Sequence, residues 1–181
     1  MRARLITEIT VDEYLEAEDG AEVRHEYVYG EVFALAGGSV SHNVVGANVV
    51  HLLVGAAGSG CRAYGSDMKL RVEERLFYYP DAMVVCEAPA NEYFETSPCV
   101  VVEVVSPSTA RNDRLEKRFA YLSLPGLQLY LLVESRRRGV TGYYREAEGW
   151  RERRFGLEEA IPVPCVGASL SFGELYDKTL L

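Results

Sequence analysis

The chain alternates between two rhythms, one of period about 3.6 and one of period two, and the changes of rhythm mark its elements. Thr10-Val11-Asp12-Glu13 has the form of a capping box, with Thr10 as N-cap and Glu13 three positions on. It predicts a helix over residues 11 to about 17, with Val11, Tyr14 and Leu15 on its apolar face. Residues 24–36 alternate around Gly30 and read as a hairpin turning at Tyr29-Gly30-Glu31. Val44, Val45, Val49, Leu52 and Leu53 recur at helical spacing, so a helix is predicted from 41 to about 57, capped by Ser39 or Ser41, with His42 in its first turn. Residues 61–64, 68–72 and 76–86 read as strands. Pro80 has no N–H to give a ladder, which places Asp81 at a strand start, an edge or a bulge near a rim. Residues 100–105 and 127–134 are short apolar runs of the kind buried on both faces. Between them, Ser108 or Thr109 can cap a helix over 110–122 with Leu115, Phe119 and Leu122 facing the core. A late hairpin over 140–145 and 150–155 turns at Ala147-Glu148-Gly149. The stretch with Pro162 and Pro164 reads as irregular, and residues 171–177 as a short terminal helix.

This order predicts an α/β (α+β) fold, a central mixed β-sheet flanked by helices, in a single domain covering residues 1–181. No apolar run comes near the ~20 residues of a membrane span. Glu8 and Asp12 follow the N-terminus too closely for a signal peptide. A cytoplasmic protein with no membrane partner is therefore expected. The four cysteines, Cys61, Cys86, Cys99 and Cys165, are widely spaced with no C-x-x-C. They read as small buried hydrophobes in a reducing compartment, not as a zinc site. The net charge of −8 excludes a nucleic-acid coat protein. It does not exclude a nuclease, because carboxylates that hold metal add negative charge and a local basic patch can still track phosphates. Candidate patches are Arg111, Arg114, Lys117 and Arg118; Arg136, Arg137 and Arg138; and Arg151, Arg153 and Arg154.

The candidate chemistry lies in two of the apolar runs. Asp81 and Glu103 each put a carboxylate into a strand-like segment, which is costly unless something pairs with it. If the two strands are neighbours, both carboxylates reach one point at the sheet rim, an oxygen-ligand site suited to Mg²⁺. Lys117 can reach over a metal-bound water, and Asp113, four residues earlier, shares its helix face. The alternative is structural: Asp81 ends a turn, and Glu103 bridges to an Arg or to Lys117. The polar loop 87–98 is either a flap over these groups or a connector. There is no G-x-S-x-G elbow, Walker loop, G-x-G-x-x-G or H-E-x-x-H. Nothing selects a triad from Ser106, Ser108 and Thr109 with His25, His42 or His51.

Pro80-Asp81, then Glu103 in a later strand, then Lys117 resembles the PD-(D/E)-x-K nuclease pattern. The surrounding strings are more specific: Glu22-Val23-Arg24-His25-Glu26-Tyr27 with Gly30-Glu31; Gly37-Gly38 with Ser41-His42-Asn43; Ser66-Asp67-Met68-Lys69; Tyr79-Pro80-Asp81-Ala82; and Val102-Glu103-Val104-Val105-Ser106-Pro107-Ser108-Thr109 with Asp113 and Lys117. Together they resemble the bacterial Uma-two family of restriction-endonuclease-like proteins, over nearly the whole chain. The resemblance implies a restriction-endonuclease-like fold and a Mg²⁺-dependent nuclease site, with Mn²⁺ as a substitute metal. Its metal ligands map onto Asp81 and Glu103. The pattern's lysine usually lies two residues after the Glu, where this chain has Val105, so the resemblance implies a lysine moved to the following helix, Lys117. Glu26 is a candidate further carboxylate; His42 and Asp67 match family positions to which no role is assigned. Leu129 departs from relatives that carry Glu there.

The expected activity is hydrolysis of phosphodiester bonds in nucleic acid, DNA before RNA, by a homodimer. Asp81 and Glu103 hold the metal, Lys117 orients the water or stabilises developing charge, and Asp113 supports Lys117. A helix N-terminus capped by Thr109 favours the phosphate. The alternatives are a non-catalytic nuclease-fold protein that binds nucleic acid or a protein partner, and a small-molecule phosphoesterase.

Overall fold

The structure is a computed structural model that describes residues 8–89, 91–105 and 113–181, with the backbone only at 113 and 114. The capping box forms as predicted. Glu13 N–H donates to Thr10 Oγ1 at 3.3 Å, and the Glu13 carboxylate accepts from Thr10 N–H at 2.8 Å, opening α1 (Val11–Glu18). Strands β1 (His25–Val28) and β2 (Glu31–Ala34) make the predicted hairpin. Val28 pairs with Glu31, so Tyr29 and Gly30 form a two-residue turn, both with positive φ, the twist that hairpins favour.

Helix α2 (Val40–Ala57) is capped by Ser39 and buries Val45, Val49, Leu53 and Ala57, one residue per turn. By length and composition, with a mean hydropathy of 1.3, it is long and apolar enough to cross a membrane. The sequence reading expected no such run, because Asn43, Asn48 and His51 interrupt it without adding charge. In this fold one face of α2 lies on the six-stranded sheet, while Val40 and Val54 are exposed.

The next four strands are one bent ribbon. β3 (Arg62–Gly65) pairs antiparallel with β6 (Ala82–Val85), and β4 (Lys69–Glu73) pairs antiparallel with β5 (Leu76–Tyr78). The strand predicted over 76–86 is therefore broken at Tyr79-Pro80-Asp81, where the proline cannot continue a ladder and the chain changes sheets. The outer half of the ribbon joins a five-stranded sheet of order β2-β1-β5-β4-β7, in which β7 (Phe94–Glu95) runs parallel to β4. The segment read as a flap or connector is thus tied into this sheet. The inner half joins a six-stranded sheet of order β11-β10-β9-β8-β6-β3. It contains β8 (Val100–Val105), β9 (Leu129–Glu134), β10 (Val140–Glu146) and β11 (Gly149–Phe155). The β8–β9 pair is parallel and the others antiparallel, so this is the expected mixed sheet. The bend divides the strands between this mixed sheet and the five-stranded one. The stretch around Pro162 is not irregular: β12 (Ala160–Val163) and β13 (Ala168–Ser171) form a separate hairpin, whose open edge tolerates the missing N–H. Helix α4 (Phe172–Leu175), capped by Ser171, follows.

The predicted caps Ser108 and Thr109, and the start of the 110–122 helix, lie outside the described residues. Residues Asp113–Lys117 form a π-helical stretch that continues as α3 (Arg118–Leu122). The wider turn rotates the helix face. Phe119 is 68% exposed and Leu115 is also exposed, against the prediction that both face the core, while Lys117 and Tyr121 turn inward.

The layers follow from these faces. Tyr14 of α1 packs on Tyr27 and Phe77 of the five-stranded sheet. The other face of that sheet, through Leu70, Leu76 and Tyr78, meets Met83, Val101 and Tyr130 of the six-stranded sheet, with Tyr121 and Leu124 beside them. The far face of the six-stranded sheet packs against α2, the β12–β13 hairpin and α4. The cysteines are not reduced: Cys61–Cys86 and Cys99–Cys165 are disulfides. Sequence spacing hides the first pair, which the Arg62–Val85 register makes cross-strand neighbours.

Candidate active site

Where the two sheets and α3 meet, the fold gathers ionisable side chains into otherwise apolar packing. Antiparallel pairing of Ala82 with Val102 sets Asp81 and Glu103 at the next opposite positions, on the same face of the sheet as Met83 and Val101. Glu103 is only 3% exposed. Its Oε1 accepts from Lys117 Nζ at 3.2 Å and from the Tyr121 hydroxyl at 2.8 Å. Lys117 Nζ also lies 2.9 Å from Glu26 Oε1, contributed by β1 of the other sheet. The Tyr78 ring sits beneath this ammonium, 5.4 Å from ring centre to Nζ. Asp81 accepts from the Val104 N–H through Oδ2 at 2.7 Å, and its Oδ1 is 3.5 Å from His42 Nε2 on α2.

The electrostatics follow from burial. Among the described residues, the cluster sets three carboxylates, Glu26, Asp81 and Glu103, against the single ammonium of Lys117. Burial, reinforced by the charge of Glu103, holds the Tyr121 hydroxyl well above its ordinary range, so it stays a donor. Burial and the charge of Glu26 likewise push Tyr78 up to about 12. A hard cation with oxygen ligands fits this donor set: carboxylates at a sheet rim, an excess of negative charge and no sulfur among them. Asp81 and Glu103 are the residues placed to hold it, with Glu26 close by.

Of the residues singled out from sequence, Asp81, Glu103, Lys117, Glu26 and His42 are brought together. Asp67 is not. It sits on the bend of the ribbon, exposed, 3.5 Å from Arg24, and lines a cavity of about 620 Å³ with Glu18, Lys69, Tyr79 and Tyr93 on the α1 face of the five-stranded sheet. The Asp113 side chain, Arg111 and Arg114 lie outside what is described. Arg151, Arg153 and Arg154 pair at the surface with Glu146, Glu159 and Glu152, and Arg137 pairs with Glu134, the pattern of a solvated face. Sequence reasoning missed Tyr121 and Tyr78. The spacing of Lys117 and Tyr121, four residues apart on a helix, carried a signal for the first.

Two packed sheets joined by a bent ribbon, one of them mixed and helix-flanked, with a carboxylate–lysine cluster at their junction, define a protein of the restriction-endonuclease-like fold. The chain belongs to the Uma2 family, whose model, described as "Putative restriction endonuclease", matches residues 11–173. Two uncharacterized proteins of Synechocystis sp. are similar to it. One is 32% identical over 173 residues, covering 93% of this chain and 91% of the relative. The other is 35% identical over 132 residues, covering 70% and 75%. Among solved structures, the chain resembles a crystal structure from Anabaena variabilis described as "a putative nuclease belonging to DUF820", with a TM-score of 0.74, 20% identity, and coverage of 93% of this chain and 97% of that one. At that identity the likeness is one of fold.

Proposed function

We propose that this protein is a Mg²⁺-dependent nuclease that hydrolyses phosphodiester bonds of nucleic acid, DNA before RNA, through a PD-(D/E)-x-K-type site whose lysine comes from the following helix. The observation that carries the reading is the convergence of Asp81, just before β6, Glu103 of β8 and Lys117 of the π-helical stretch in one largely buried cluster. The description of the family supports the reaction class, and the structural likeness supports the fold. Asp81 and Glu103 would hold Mg²⁺, or Mn²⁺ in its place; the bound metal supplies a polarised phosphoryl oxygen and a more acidic water. Tyr121 fixes the orientation of Glu103 and keeps it an acceptor. Glu26 holds Lys117 in place, and Lys117 brings positive charge to where it develops on the phosphate. His42 orients Asp81. The active form is expected to be a cytoplasmic homodimer, so that two sites cut two strands; sedimentation tests the oligomeric state.

Calorimetric titration with Mn²⁺ and Mg²⁺, followed by a screen of DNA and RNA substrates, tests this reading. Wild type should bind metal and cleave. The Asp81→Ala, Glu103→Ala double variant should lose binding, and Glu103→Gln should lose at least ~100-fold in rate. Equal metal binding by wild type and the double variant, or none by either, overturns the proposal. One observation favours a second reading, a nuclease-fold protein that binds nucleic acid or a protein without cutting: Lys117 is already held between two carboxylates, the arrangement of a structural bridge. Metal-independent binding unaffected by Glu103→Gln is the result that reading requires.

A further inference from the structure

The four cysteines converge at one end of the six-stranded sheet. Cys61 precedes β3 and Cys86 follows β6, side by side across the ladder. Cys99 precedes β8, and its N–H donates to Val84 O at 2.8 Å. Cys165 arrives from a separate unit, the turn Pro164–Val166 between β12 and β13. The two disulfides touch: Cys86 Sγ lies 3.7 Å from Cys99 Sγ, and the sulfurs of Cys86, Cys99 and Cys165 all fall within 4.8 Å of one another. A tetrahedral zinc with Zn–S bonds of ~2.3 Å has S···S edges of about 3.8 Å. The contact between the two disulfides already has that length. Cys86 is exposed, which admits a reductant and a cation, while Cys99 is 7% exposed in the core.

We propose that these sulfurs form a redox-gated site in which all four cysteines bind a thiophilic divalent cation such as Zn²⁺. In the oxidised form they are two disulfides. Two equivalents of a dithiol reductant convert them to four thiols, the reductant leaving as its own disulfide. Binding of Zn²⁺ to the four sulfurs then releases four protons, because the ligand is the thiolate. Soft thiolates favour Zn²⁺ and discriminate strongly against Mg²⁺, whereas the carboxylate cluster accepts hard cations, and thiolate-to-metal charge transfer reports the cysteine site alone. The two sites also sit at opposite ends of β6, with Asp81 before it and Cys86 after it. The metal would tie Cys165, and with it the β12–β13 hairpin, to the main sheet under conditions that remove the Cys99–Cys165 disulfide.

The test uses the full chain, reduced anaerobically with a phosphine, freed of reductant, and titrated with Zn²⁺ against a chromophoric chelator and with Co²⁺ by thiolate-to-metal charge-transfer absorption. The expected result is one further equivalent per reduced chain than per oxidised chain, with the charge-transfer band and protection of all four thiols from Ellman's reagent seen only after reduction. Cys86→Ser, at the exposed member, should weaken Zn²⁺ by at least ~100-fold, the upper end of what losing a mere supporting contact costs. The Asp81→Ala, Glu103→Ala double variant should show the same reduction-dependent equivalent and charge-transfer band as wild type, which separates this proposal from the nuclease reading. A reduced, folded wild-type chain that binds no Zn²⁺, or that re-forms disulfides with Zn²⁺ present, overturns it. So does uptake unchanged in Cys86→Ser.

Discussion

Tyr121 and Lys117 stand one helical turn apart and end on the same oxygen of Glu103, yet their removal should have different consequences. Tyr121→Phe deletes one donor to a buried carboxylate and leaves the ion pair, so it should cost about 1.5–3 kcal/mol in urea denaturation, the range for hydrogen bonds to charged groups. Lys117→Met leaves Glu103 and Glu26 facing each other without their ammonium. Breaking a buried pair from one side costs about 3–5 kcal/mol. A divalent cation can replace the missing charge, so Mg²⁺ should raise the thermal midpoint of Lys117→Met more than that of wild type. Equal Mg²⁺ shifts in the two proteins count against a cation site among these carboxylates.

The element scale brings out local rules and their limits. Thr10 supplies the side-chain acceptor of the α1 capping box, so Thr10→Ala should destabilise the fold by ~1 kcal/mol, measurable as a shift in the urea midpoint with an unchanged slope. That cap, the Tyr29-Gly30 turn, the α2 stripe, and the β10–β11 hairpin were legible in the sequence because each is decided by residues within one turn or one pairing. The β8 and β9 runs were legible too, since continuous Val and Leu leave few other places for them. What was not legible depended on partners distant in sequence. Residues 76–86 have the composition of one strand, and only the two sheets show that Pro80 divides them. Leu115 and Phe119 have core spacing for an α-helix but not for the π-helical turn that brings Lys117 to Glu103. In the candidate site, Asp81 and Glu103 could be picked out because charge inside an apolar run is conspicuous, and Lys117 because the pattern needs a lysine soon after them. Asp67 was named only from the family strings, and it lies on the other strand of the bend, beside Arg24.

At the scale of the whole molecule, buried tyrosines link stability to alkaline pH. Burial chiefly pushes Tyr78, Tyr144 and Tyr176 up to about 12, and it raises Tyr14, Tyr79 and Tyr121 as well. The folded chain keeps these protons where the unfolded chain, with tyrosines near pH ~10, releases them. Their contribution is therefore complete below pH ~10 and is lost as pH climbs from there through the raised values. Lys69, lowered by burial, acts in the opposite direction but is one group against six. The urea midpoint should fall steeply above pH ~10, with tyrosinate absorbance developing together with unfolding; a midpoint flat across this range contradicts the linkage. The bent ribbon has a mechanical meaning of its own. Both of its strands cross between the sheets, one at residues 66–68 and the other at Tyr79-Pro80-Asp81, so the two sheets cannot part there by more than a few residues of chain. Any separation of the two sheets at this end would be a rotation about that line. Asp81 lies on that axis, fastened to Val104, and Glu26 stands on the opposite sheet, so a rotation there would change the distance to Glu26 and leave Asp81 nearly still.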